Sequence, residues 1–186
     1  RQFPDPVTGR PTAGITVRDE KAIFESKDKR FNPDAALRYT QTIDVFDIGL
    51  SYFKGTARTP VLDFGPETYD GVSVVPRYDL ISQAGIDVQA TIGPWLLKLE
   101  GTRREQRNQW YTQATGGVEY TLYNIFDTGT DLGIVSEYMY DQRRLDAPQP
   151  FNDDVGFGLR WTANDVQSTT LLLGGLYDSV SYTHLR

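Results

Sequence analysis

Seven segments of the chain alternate apolar and polar residues with a period of two, and the polar partners include Asp, Glu, Lys and Arg in mid-segment. In the clearest of them Leu80, Ala84, Ile86, Val88, Ala90 and Ile92 share one parity, while Asp79, Gln83, Asp87, Gln89 and Thr91 share the other. Successive side chains on a strand point to opposite faces, so the pattern predicts strands with one oily and one charged face and excludes a helix stripe. Recurrence about every ten residues, with turns between, is the pattern of strands whose lipid-facing and lumen-facing positions alternate in a transmembrane β-barrel.

Composition bounds this expectation without deciding it. The 186 residues are 39% hydrophobic and 24% charged, which suits a soluble domain equally well. No stretch approaches the roughly 18 apolar residues of a spanning helix, so a chain of this kind crosses a bilayer only as strands, of about 9–11 residues each. A net charge of −6 argues against nucleic acid as a partner, because such binders cluster Lys and Arg. The absence of Cys excludes disulfides and thiolate metal sites. Residue 1 is Arg, the only Met is Met139, and no export signal is present, which suggests a missing or processed start. Residues 179–186, SVSYTHLR, break the preceding pattern, resemble translated adapter sequence and are expected to be non-native.

Along the chain, residues 1–33 carry Pro4, Pro6, Gly9, Pro11 and Gly14 and then a charged run, which predicts a long loop outside the cell. Residues 34–178 are expected to form a partial barrel of about eight strands. These run near 35–42, 48–53, 80–92, 95–102, 113–122, 132–140, 154–161 and 167–177, the last with apolar residues on both faces and an open register. Residues 57–77, 103–109 and 141–152 read as longer loops, the other connections as short turns. Alternating short and long connections suit periplasmic turns and extracellular loops. Phe46, Trp95, Phe126 and Trp161 fall near the short turns, and Tyr52, Trp110, Tyr138 and Tyr140 near the long loops, as two interfacial girdles would. With both visible ends on the outside, parity demands further strands before Ala35 and after Tyr177, giving ten or more in an intact up-and-down antiparallel barrel.

The charged parity assigns Arg38, Asp87, Lys98, Glu100, Glu119, Glu137 and Arg160 to a lumen lining. The alternative for the same residues is a mutually paired network filling a closed interior, or the solvated face of a soluble sheet. Enzymatic readings find little. The only His is His184, so a Ser-His-Asp arrangement has no base before the final segment. Asp153 and Asp154 read as a solvated turn pair rather than a calcium site, and Gly116-Gly117 as close strand packing rather than a phosphate loop. No catalytic residue, metal or cofactor is expected.

The segments GLSYFKGT, LLKLEGTRR, ATGGVEYTLY, DLGIVSEYMYDQRR and FGLRWTANDVQST resemble the central strands of uncharacterised porin-like outer-membrane barrels of Gram-negative bacteria. The resemblance implies a location in the bacterial outer membrane, contact with lipid, and passage of small hydrophilic solutes or ions; it supplies no binding residue. The expected function is a channel or uptake pore. The alternatives are a non-conducting structural or surface-interaction barrel, and a soluble all-β carrier.

Overall fold

A computed structural model describes residues 15–64, 72–144 and 153–178. The proposed tail at 179–186, His184, and the tips of two expected loops at 65–71 and 145–152 lie outside the described residues. Within them the chain is all-β, with twelve strands and two short 3-10 turns. The strands are β1 (Ile15–Val17), β2 (Ile23–Phe24), β3 (Ala35–Ile43), β4 (Phe46–Thr56), β5 (Val61–Phe64) and β6 (Val72–Tyr78). They continue as β7 (Leu80–Ile92), β8 (Trp95–Gln106), β9 (Gln109–Ile125), β10 (Thr130–Asp141), β11 (Asp153–Thr162) and β12 (Thr170–Asp178).

All eight expected strands are present, and together they form one sheet in the order β12-β11-β10-β9-β8-β7-β4-β3. Among the described residues its edges, β3 and β12, do not pair with each other, so the sheet is open rather than a closed barrel. The register left open for the last strand is set by pairing with β11, where Leu159 opposes Leu173 and Arg160 opposes Leu172. Leu172 and Leu176 therefore share the parity of Arg160, which is why that strand reads as apolar on both faces.

The turns follow local chemistry. Two residues, Asp44 and Val45, join β3 to β4, with Asp44 at φ 54°. Gly93 and Pro94 join β7 to β8; Gly93 takes φ 57°, which a residue without a Cβ adopts at no steric cost. The expected long loop at 103–109 is instead a tight turn of Arg107 and Asn108, at φ 53° and 59°. Two successive positive φ values match the right-handed twist of a hairpin, and Asn tolerates them well. The strands β8 and β9 thus run on into what the sequence presents as a polar loop.

By contact the chain divides into two units. One draws on Arg1–Ala36, Phe53–Ser82 and Glu105–Gln109, the other on Leu37–Tyr52, Gln83–Arg104 and Trp110–Arg186. The first holds a small sheet absent from the sequence expectation, in which β6 pairs in parallel with β1 and β2 and antiparallel with β5. Residues 15–33 are thus not simply a loop, nor are the described parts of the expected loop 57–77, at 57–64 and 72–77. Ser73, Val74, Val75 and Pro76 of β6 are all buried, so the strand shows no alternation to read. Around β6, Tyr78 stacks on Phe24 with ring centroids 5.0 Å apart. Arg77 pairs with Asp63 at 2.8 Å, and buried Asp79 accepts a hydrogen bond from Gln106 at 2.7 Å.

Candidate functional site: the charged face of the large sheet

The larger unit carries a sheet with two unlike faces. Its apolar rows are uncovered. Register places Leu122, Leu132, Trp161 and Leu171 side by side across β9 to β12, and Tyr120, Ile134, Leu159 and Leu173 in the next row on the same face. Ile134 is 47% exposed, Phe157 59% and Leu173 71%. Leu37, Leu50, Ile86, Leu97 and Leu99 are exposed in the same way on the other strands. Monomeric soluble proteins rarely show a contiguous apolar patch beyond about 300–600 Å².

The opposite face carries the charges, and two ion pairs there share one construction. Arg38 on β3 meets Asp87 on β7 at 2.9 Å, reaching across β4, which lies between them. Arg160 on β11 meets Glu119 on β9 across the intervening β10. In each case the middle strand has a glycine under the carboxylate. A Cβ on Gly133 would stand 2.6 Å from Glu119 Oε1, and one on Gly49 would stand 2.6 Å from Asp87 Oδ1. Glycine on the central strand leaves a groove in which a carboxylate can lie flat and span two strands. Gly49 and Gly133 are what make these pairs possible.

Of the remaining expected lining residues, Glu100 joins Arg38 and Asp87 around a shallow cavity of about 350 Å³, with Ser51, Gly85 and Thr102. Glu137 lies against Gly117, where a Cβ would be 3.3 Å from its Cγ. Close packing therefore accounts for Gly117, whereas nothing stands within 4 Å of a Cβ on Gly116. Lys98, Glu100 and Glu137 form no ion pair with another described residue.

A further cluster on this face lies beyond the expected strand ends. Tyr111 on β9 is buried, with the guanidinium of Arg143 centred 3.8 Å from its ring centroid. Arg143 also grips buried Asp141 through three hydrogen bonds, its amide and Nε to Oδ1 at 2.9 and 3.0 Å and Nη2 to Oδ2 at 2.6 Å, and Gln113 donates to Asp141 at 2.8 Å. Arg104 on β8 is held by Gln83, whose Oε1 accepts from Nε at 2.7 Å, and by the Tyr111 hydroxyl, which accepts from Nη1 at 3.3 Å. For Arg104 a signal is present in the sequence, since Lys98, Glu100, Thr102 and Arg104 continue a single parity.

Asp153 and Asp154 are not a solvated turn pair. They open β11, where Asp153 accepts a hydrogen bond from the Tyr138 hydroxyl and Asp154 is 2% exposed. Among the described residues no group of His, Cys, Asp and Glu could hold a metal ion. No known protein family, curated protein or solved structure matches the chain.

Proposed function

We propose that the chain forms part of a transmembrane β-barrel of the bacterial outer membrane, of the porin-like kind, acting as a channel or uptake pore for small hydrophilic solutes or ions. One observation carries this reading: across the larger unit the large aliphatic and aromatic side chains stand exposed in adjacent rows, while the ion pairs lie on the other face. Moving a large apolar side chain out of water gains about 1.5–3 kcal/mol, so such a face calls for an apolar surrounding, and acyl chains supply one along a whole sheet. Exposed Phe46 and Trp95 at the short turns, and Tyr52 and Trp110 toward the opposite strand ends, suit the two interfaces. The open edges β3 and β12 then call for further strands to complete a cylinder.

Conductance of the full-length protein in planar bilayers tests the reading. Stepwise currents are expected, and their absence across a reconstituted, correctly folded preparation counts against a pore. The second reading, a non-conducting structural or surface-interaction barrel, draws on the pairing of Arg38 with Asp87 and of Arg160 with Glu119, since paired charges can fill an interior as well as line a passage.

A further inference from the structure

Arg104 differs from the other arginines of the charged face. Arg38, Arg143 and Arg160 each have a carboxylate partner, at Asp87, Asp141 and Glu119. Arg104 has two neutral ones. Gln83 takes its Nε hydrogen and the Tyr111 hydroxyl takes one from Nη1, which fixes the plane of the guanidinium and leaves its charge uncompensated by any described carboxylate. Nη2 keeps both hydrogens. The side chain is half-buried, and Tyr111 beneath it is 6% exposed, so the fork is held rather than free to swing into solvent. Arg143 occupies the ring of the same tyrosine, placing a second cation beside the first.

Orientation by neutral acceptors preserves a guanidinium's positive charge for an incoming group, and its planar donors match the two oxygens of a carboxylate or phosphate. From this arrangement we infer that Arg104 is an oxyanion-binding residue, taking the carboxylate or phosphate group of a small solute, with Gln83 and Tyr111 as positioning residues. The inference rests on the reading that this face is the solute-facing one. It adds a chemical class to that reading, since an anionic solute would be held at Arg104 in a lining whose other arginines are already neutralised.

The test is titration of the folded full-length protein in detergent with inorganic phosphate and, separately, with acetate, at low ionic strength, followed by calorimetry or tryptophan fluorescence. Saturable binding of at least one anion is expected. Arg104→Gln should weaken it at least tenfold, and Arg104→Lys, which keeps the charge but loses the fork, by a smaller factor. Arg103→Gln should leave it unchanged, because Arg103 lies on the opposite parity, over the ring of Trp110 at 5.5 Å. Phosphate and acetate arms distinguish the two sources of the oxyanion. Absence of saturable binding, or equal affinity in Arg104→Gln with a native circular dichroism spectrum, overturns the inference. Bilayer conductance on the same samples separates the two proposals: anion binding lost in Arg104→Gln without any current keeps the site and removes the pore, whereas current without binding does the reverse.

Discussion

Glu119 and Arg160 form an ion pair across two strand spacings, lying over Gly133 of the strand between them. Glu119 is 11% exposed at its side chain and Arg160 44%, so the carboxylate is the more enclosed partner. An exposed pair contributes about 0–1 kcal/mol, and hydrogen bonds to charged groups about 1.5–3, which places this half-sheltered pair between the two. Gly133→Ala should push the carboxylate off its seat and cost about 1–2 kcal/mol. In a double-mutant cycle that cost should largely vanish in the Glu119→Gln background. Full additivity of the two substitutions would show that the glycine serves something other than the pair.

A second glycine contrast separates rigid from yielding neighbours. A Cβ on Gly174 would meet the Phe157 carbonyl oxygen at 2.5 Å and Gly158 Cα at 3.3 Å, both backbone, whereas nothing lies within 4 Å of one on Gly175. Backbone cannot move aside as a side chain can. Gly174→Ala is therefore expected to cost about 1–3 kcal/mol, as overpacking does, while Gly175→Ala should be neutral or stabilise by about 0.4–1 kcal/mol through the unfolded chain. Urea unfolding of the two variants checks the order, and equal effects would contradict it.

The face assignment predicts an asymmetry in tolerance to charge. Arg at Val88, Val118 or Ile134 should cost about 2–4 kcal/mol if those positions meet lipid near the midplane, and Arg at Gln89 or Thr121 should be tolerated. Val118 and Ile134 sit on the uncovered apolar face, while Thr121 opposes Gly133 on the charged one. Folding into lipid vesicles as a function of urea reads the difference; equal sensitivity of both sets would count against a membrane-facing surface.

How much of this was legible depended on the environment of each strand. From β7 to β11 one face is charged and the other apolar, so alternation marked their existence and their faces. It failed at β6, where Val74, Val75 and Pro76 are buried and no period survives, and at the ends of β8 and β9. There Arg103 to Gln109 reads as a polar loop, because the local composition gives no hint that two left-handed residues, Arg107 and Asn108, will fold it into a hairpin. Arg104 and Tyr111 were lost with that boundary. The ion pairs were half legible: Arg38, Asp87, Glu119 and Arg160 could be placed on one face by parity, but their reach over Gly49 and Gly133 depends on strand register, which alternation does not encode.

Acid should loosen one connection of the sheet. Asp165, between β11 and β12, accepts hydrogen bonds from the Thr169 amide at 2.8 Å and its hydroxyl at 2.7 Å, and these hold its carboxyl below the usual aspartate range. A carboxyl depressed in the fold contributes stability that is complete above the ordinary aspartate range and is lost as pH falls through that range to the lower folded value. Amide protection of Thr169 should fall over that window in the native sequence and be pH-independent in Asp165→Asn. Identical pH profiles would remove the carboxylate from the turn's stability.

Charge selectivity offers the last test, and Arg104 changes what the seven lining residues predict. Counted singly, Asp87, Glu100, Glu119 and Glu137 outnumber Arg38, Lys98 and Arg160 and favour cations. Pairing Arg38 with Asp87 and Arg160 with Glu119 leaves that one-charge excess on Lys98, Glu100 and Glu137, and it is Arg104, outside the seven, that offsets it. Any cation preference should therefore be slight, growing as salt is lowered because the Debye length is about 8 Å at physiological ionic strength. Glu100→Gln should move the reversal potential toward anions at little cost in stability. Glu119→Gln should move it similarly but also destabilise the fold by about 1–3 kcal/mol, since Arg160 is left without its partner. If both substitutions leave the reversal potential of the full-length protein unchanged under a salt gradient, these carboxylates do not line a conducting path, and the filled-interior reading gains.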